Sequence, residues 1–263
     1  MTKDYIKFLG TGGSRFVVAK QLRSSGGVFI KYNGLNIILD PGPGTLVRCN
    51  KSKPPIDVTK LDAILLSHLH IDHSNDVNIL IDGMTVGGFK RRGVLFAPED
   101  SLKGDCCVVL NYLRSFLTRI EILKERSKYT IGSLESEKLC FSTSIRHNHP
   151  VETYGLIFDM HGLKVSFMVD TKYFPGLIDC YKGSDILVIN VTRRTPSSGI
   201  MHLSIEDVKE ILKGIKPKKA ILTHFGMTML KAQPAIVAKD LTDELGIEVI
   251  AARDGMSINI DDV

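Results

Sequence analysis

The stretch LLSHLHIDHSND, residues 65–76, places three histidines and two aspartates within nine positions, directly after an apolar run. The run at 63–66 reads as a buried strand, and His68, Leu69, His70 and Ile71 continue its alternation before turn-forming residues take over. Folding alone gives no reason to collect titratable groups there, because buried imidazoles and carboxylates are costly unless paired. A metal ion pairs with all of them at once. His68 and His70 are two apart, so on an extended segment their side chains point the same way. Asp72 and His73 follow after the chain turns and face a neighbouring point, so one short loop can feed two metal ions. Imidazole nitrogens with carboxylate oxygens suit Zn²⁺, and Mn²⁺ or Fe is also compatible with them.

Other elements must hold that loop in place. Residues 3–9 alternate as a strand and run into the Gly-rich turn GTGGSRF. GGVFIKYNGLNIILDPG predicts a hairpin, 27–32 and 35–40, turning at Asn33-Gly34. A strand is expected at 62–67, a helix over 72–81, a strand at 93–97, and several short strands between 118 and 141; 99–115 carries no clear pattern. A second hairpin, 153–159 and 163–169, turns at His161-Gly162, and 185–190 is a buried strand. Residues 203–215 form an amphipathic helix with Ser204 as N-cap and Glu206 and Asp207 in its first turn. A strand ending near 223, a helix over 228–245 and a last strand pair complete the chain. Two sheets packed together with helices outside, an αββα sandwich in a single domain over 1–263, is the expected architecture.

The 263 residues, 43% hydrophobic, suffice for a sizeable core, and no linker-like tract divides them. No apolar stretch approaches the roughly 20 residues of a membrane helix. The N-terminal segment lacks a signal-peptide core, so a cytoplasmic protein is expected. The five cysteines show no CxxC pair and read as reduced thiols. A formal charge of +5, with Lys90, Arg91 and Arg92 among its local concentrations, leans toward an anionic substrate.

HxHxDH after a strand resembles the signature of the metallo-β-lactamase superfamily. The resemblance spans nearly the whole chain through FLGTGGS (8–14), LDPGPG (39–44), HLHIDH, VDT (169–171), THFG (223–226) and ARDGM (252–256). It is nearest to the phosphodiesterase branch that includes ribonuclease Z and the cyclic phosphodiesterase of the carbon–phosphorus lyase pathway. The resemblance implies two metal ions, expected to be zinc. His68, His70 and a later histidine would hold one, Asp72, His73 and His224 the other, with Asp170 bridging both. RHNHP offers His147 and His149 as the later histidine. In the resembling enzymes it precedes a glycine by six residues, which His149 does with Gly155. Asp40 is expected to accept a hydrogen bond from a ligand imidazole and fix its tautomer. His202, in MHLS before the N-cap, matches a histidine that stabilises the transition state or protonates the leaving oxygen. His161, at a hairpin tip, carries no functional expectation.

A hydroxide shared by two metals would then attack a small or nucleotide-type phosphodiester, with Asp72 helping to orient it. Bacterial ribonuclease Z enzymes carry a long tRNA-gripping arm between the third histidine and the bridging aspartate. Here that interval holds one hairpin only, which disfavours tRNA 3′-end processing and nucleic acid generally. Segment 74–146 is expected to supply pocket walls, with its KRR contacting phosphate. Hydrolysis of a thioester, lactone or lactam at the same centre is the alternative. A membrane partner is not expected, and a homodimer is left open.

Overall fold

A computed structural model of the chain describes residues 4–132 and 139–262. The first sheet is built from β1 (Tyr5–Phe8), β2 (Val28–Tyr32), β3 (Leu35–Leu39), β4 (Ala63–Leu65), β5 (Val94–Ala97) and β6 (Arg119–Ile122). The second takes β7 (Lys128–Ile131), β8 (Leu139–Arg146), β9 (Tyr154–Met160), β10 (Leu163–Met168), β11 (Ile186–Asn190), β12 (Lys219–Thr223) and β13 (Glu248–Ala251). The last strand, β14 (Ser257–Asn259), returns to the first sheet, giving the orders β14-β1-β2-β3-β4-β5-β6 and β13-β12-β11-β10-β9-β8-β7. Both sheets are mixed. The β3-β4-β5-β6 and β10-β11-β12-β13 runs are parallel, and the remaining pairings are antiparallel.

Nine α-helices lie among the described residues: α1 (Arg15–Ala19), α2 (Thr45–Lys51), α3 (Ile71–Ser74), α4 (Val77–Met84), α5 (Asn111–Arg114), α6 (Gly176–Tyr181), α7 (Ile205–Ile215), α8 (Met227–Lys231) and α9 (Pro234–Leu245). Three apolar clusters give the layers. Ile6, Phe8, Ile30 and Ile37 meet Phe158, Val165, Val188 and Ile221 between the sheets. Ile64 and Leu95 pack on Leu80 and Met84 of α4 outside the first sheet, and Leu187 and Leu222 pack on α7 and α9 outside the second. The αββα arrangement expected from the strand pattern is the one observed. No helix among the described residues is long and apolar enough to cross a membrane, and all five cysteines are free.

Local chemistry explains the well-anticipated elements. Asn33 and Gly34 both take positive φ (45° and 78°), the conformation a two-residue hairpin turn requires. His161 and Gly162 do the same at 52° and 77°. His161 is nonetheless structural: its backbone N–H donates to the Tyr32 hydroxyl at 3.0 Å, and Nε2 lies 2.8 Å from the Asp4 carboxylate. The turn of the second sheet is thereby tied to the first. In α7 the Ser204 hydroxyl accepts from the Asp207 N–H while Asp207 accepts from the Ser204 N–H, a reciprocal cap, and Ile205, Val208, Ile211, Leu212 and Ile215 form its buried stripe.

Four expectations need correction. The helix over 72–81 is two short helices, because Asp76 turns to accept from the Leu46 N–H and its own N–H bonds to Pro41. The helix over 228–245 breaks at Gln233, whose φ is 56° ahead of Pro234; a proline disfavours a helical residue before it and suits the first turn after it. β13 and β14 do not pair with each other. β13 lies parallel to β12 and β14 antiparallel to β1, so the chain crosses between sheets there. Finally, Arg91 Nε donates to the Leu117 carbonyl and Arg92 pairs with Asp62 at 3.0 Å. Asp62 precedes β4 whereas His68 follows it, so Arg92 sits at the far end of that strand from the histidines rather than beside them. Segment 74–146 is chiefly scaffold, supplying β5, β6 and β7. Residues 133–138 of its expected short strands lie outside the described residues.

Candidate metal centre

The parallel strands of both sheets end at one place. Asp40 follows β3, Ser67 and His68 follow β4, Asp170 follows β10, Asn190 ends β11, and His224 follows β12. Loops add the rest: His70 caps α3, which carries Asp72 and His73, His147 and His149 lie between β8 and β9, and His202 precedes α7. This is the crevice at the carboxyl ends of strands where open α/β sheets present ligand groups.

Four overlapping donor groups form among the described residues, each with atoms within 4.8 Å of one another: His68, His70 and His149; Asp72, His73 and His224; Asp40, His68 and His73; and Asp170, His202 and His224, of which the first two share no residue with each other. In the first, His149 Nε2 lies 3.0 Å from His70 Nδ1. In the second, His73 Nε2 lies 3.0 Å from His224 Nε2, and His224 Nε2 lies 3.4 Å from Asp72. Asp170 stands between them. Its Oδ2 is 3.8 Å from His68 Nε2 and 3.3 Å from His73 Nε2, and its Oδ1 is 3.4 Å from His224 Nδ1. His202 Nδ1 approaches the same carboxylate at 3.7 Å.

The surroundings aim these groups. Asp40 accepts from the Ser67 N–H at 2.7 Å, from the Ser67 hydroxyl at 2.6 Å and from His73 Nδ1 at 2.9 Å. A proton on His73 Nδ1 leaves Nε2 directed inward. Asn190 Nδ2 donates to Asp170 Oδ1 at 2.9 Å, and His149 Nδ1 donates to the Met201 carbonyl at 3.2 Å. Asp40 and His224 both hold positive φ, 51° and 60°. Such backbone strain, of order 1–3 kcal/mol per residue, persists where surrounding contacts over-determine it and clusters at functional sites. Gly13 is needed for a related reason, since a Cβ there would lie 2.1 Å from His224 Nδ1.

The donor set fits divalent cations. His68 Nε2 is fully buried without a hydrogen-bond partner, an orphan that a metal ion would satisfy. The facing nitrogen pairs at 3.0 Å set lone pair against lone pair unless a proton or a cation lies between them. Burial drives the His149 imidazole down to about 4 and also lowers His68 and His70, keeping their nitrogens unprotonated for coordination. Burial works against the charged forms of Asp170, Asp72 and His73 as well, yet mutual attraction prevails. His73 beside Asp72, and His224, His202 and His73 around Asp170, hold both carboxylates well below the usual range, while Asp170, Asp40 and Asp72 hold His73 well above its own. Carboxylates this anionic draw a proton onto His73, and the same field favours a cation.

His147 is separated from this group. Its Nδ1 donates to the Asp170 carbonyl at 3.1 Å and its Nε2 meets the Tyr181 hydroxyl at 2.8 Å, deep in the core. Gly155 makes room for that tyrosine, because a Cβ would lie 1.7 Å from its hydroxyl oxygen. The His147→Ala protein is therefore expected to lose stability but keep its metal. His149→Ala is expected to lose affinity at the ion held with His68 and His70, which metal titration of the two variants checks. Ser67, Asn190, Tyr181 and Thr192, whose hydroxyl lies 3.3 Å from His224 Nδ1, escaped the sequence reading. Each is an ordinary polar residue near a strand end or on a helix, and only neighbours distant in sequence give it a role. ARDGM is explained by Asp254, which accepts from the Thr11 N–H and hydroxyl and from the Ser24 N–H, pinning the Gly-rich turn.

Comparison with known proteins agrees with this fold. Residues 35–225 match the Beta-lactamase superfamily domain. An uncharacterized protein of Methanocaldococcus jannaschii is 31% identical, the alignment covering 97% of this chain and 94% of that one. Ribonuclease Z of Borrelia garinii subsp. bavariensis is 24% identical over 96% of each chain. Among solved structures, a diphosphatase from the PhnP family superposes with a TM-score of 0.70 at 19% identity, covering 98% of both chains.

Proposed function

This chain belongs to the beta-lactamase superfamily, and from that premise we propose that it is a dinuclear metal-dependent phosphodiesterase acting on a small or nucleotide-type substrate. The observation that carries the reading is the shared position of Asp170 between two three-residue donor groups. His68, His70 and His149 would hold one ion, Asp72, His73 and His224 the other, with Asp170 common to both. Zinc suits these donors. When bound, such a pair supplies Lewis acidity toward a phosphoryl oxygen and activates water for in-line attack.

The chain's own residues supply the rest. Asp40 and the Met201 carbonyl hold the outer nitrogens of His73 and His149, so His149 presents a free inward nitrogen and an ion would displace only the inward proton of His73. Asp72, 3.4 Å from His224, would ligate with it and would help to orient the attacking water. His202 has no hydrogen-bond partner among the described residues and is partly exposed, which frees it to meet a substrate oxygen; its imidazole would serve the departing alkoxide. Phosphate as the reacting group is supported by the names of the relatives, a diphosphatase and a ribonuclease Z. The interval from His149 to Asp170 is spanned by the β9-β10 hairpin alone, which favours a compact substrate over tRNA.

Reconstitution with Zn²⁺ or Mn²⁺ followed by elemental analysis is expected to give close to two ions per chain. The loaded protein is expected to turn over bis(p-nitrophenyl) phosphate or cyclic nucleotides in preference to esters and lactones. Rapid hydrolysis of a lactone or thioester with diesters untouched would move the reading to a carbonyl substrate.

A further inference from the structure

A second cavity, of about 250 Å³, lies away from the histidines, lined by Lys7, Arg48, Lys51, Ser52 and Lys53 together with Leu9 and Gly255. Ile6 and Phe8 face the core between the sheets, so Lys7, between them on β1, projects from the opposite, outer face of the first sheet. Arg48 and Lys51 reach the cavity from α2, and Ser52 and Lys53 from the residues after it. We propose that this cavity is a binding site for a phosphate-type dianion, either free phosphate or the phosphate end of a nucleotide.

Four cations converge here, and among the described residues none has a carboxylate within 4.0 Å. Asp254, next to Gly255, is turned away to Thr11 and Ser24. Lys7 is only 6% exposed, and its ammonium donates one hydrogen bond, to the Lys53 carbonyl at 3.0 Å. The side chain is enclosed while its ammonium faces the cavity with two further donors, which favours an anionic partner there. The Ser52 hydroxyl is a second, independent sign: it is buried in the cavity wall with no hydrogen-bond partner. The favourable interaction of cations with a helix C-terminus explains Arg48 and Lys51 in the last turn of α2, but neither Lys7 on the sheet nor the orphaned hydroxyl. The volume falls below the roughly 300–1,000 Å³ of pockets that enclose drug-sized ligands, which suits a phosphate or diphosphate group.

The test is isothermal titration of inorganic phosphate, and separately of ADP, into the metal-loaded protein and its Lys51→Ala/Lys53→Ala variant. Both lysines are exposed, so the fold should survive. At least about a tenfold loss of affinity is expected in the variant, with turnover of bis(p-nitrophenyl) phosphate unchanged, since two charge-assisted contacts to a bound oxyanion are together worth about that much. ADP binding tighter than phosphate assigns the nucleotide as the source, and equal affinities assign the free anion. Crystals soaked in tungstate give the position directly: anomalous density in contact with Lys7 and Ser52 supports the site. Unchanged affinity in the variant, no binding by the wild type, or density confined to the histidine centre would overturn it.

Discussion

Asp170→Asn is expected to lower the metal content of the reconstituted protein from near two ions per chain to one or fewer, and kcat/KM by at least about 10³-fold. The carboxylate is 2% exposed and reaches inward nitrogens of both donor groups within 3.8 Å. No other acidic group does so among the described residues. Asp72 lies near His73 and His224 only, and Asp40 faces the outer nitrogen of His73. Asn keeps the shape and a partner for Asn190, but it removes the negative charge that stands between the two donor groups. A tenfold rate change is about 1.4 kcal/mol, and losing a charged ligand costs several such steps. Elemental analysis beside steady-state kinetics is the measurement. Two tightly held ions and undiminished turnover in the variant would show that Asp170 is not shared.

His202→Ala is the second large effect, and it should separate chemistry from metal binding. Both ions are expected to remain while kcat falls about 10²–10⁴-fold, the range of a general acid. His202 lies 3.7 Å from Asp170, further than His73 or His224, and its ring is the more exposed. Burial lowers its proton affinity in the free protein, with Asp170 acting in the opposite direction. An anionic phosphate arriving beside it would raise that affinity again. The loss should shrink for nitrophenyl diesters, whose phenolate leaves without protonation, and be full for alkyl diesters. Equal losses on both would leave His202 a stabiliser of charge rather than an acid, and no loss would remove it from the reaction.

Much of the fold was legible because its signals are local. Asn33-Gly34 and His161-Gly162 set two hairpins through the φ values of their own residues, and Ser204 with Asp207 set the start of α7 within one turn of chain. The misreadings have two different causes. Pro234 should have divided the last long helix, a local rule outweighed by apolar periodicity on both sides. The partners of β13 and β14 could not be read locally at all, since strand pairing depends on which sheet edge is open.

The sequence by itself determined the donor types and their order along the chain. HLHIDH fixes two same-side imidazoles and a turn within six residues, and that spacing is enough to call for a metal. It also determined the alternation that makes each sheet two-faced. The tertiary structure alone decided which groups meet. His149 faces His70 across 79 positions, while His147, two residues away, is held by Tyr181 and the Asp170 carbonyl. The choice between them rests on where β8 ends against β9 and on the space Gly155 leaves. The same holds for Asp40, whose meaning lies in Ser67 and His73, and for Lys7, an unremarkable strand lysine until α2 closes over it. Neighbour spacing in a sequence specifies geometry over one turn or one strand. Contacts between strand ends depend on sheet order and register, which are settled by the packing of the whole core.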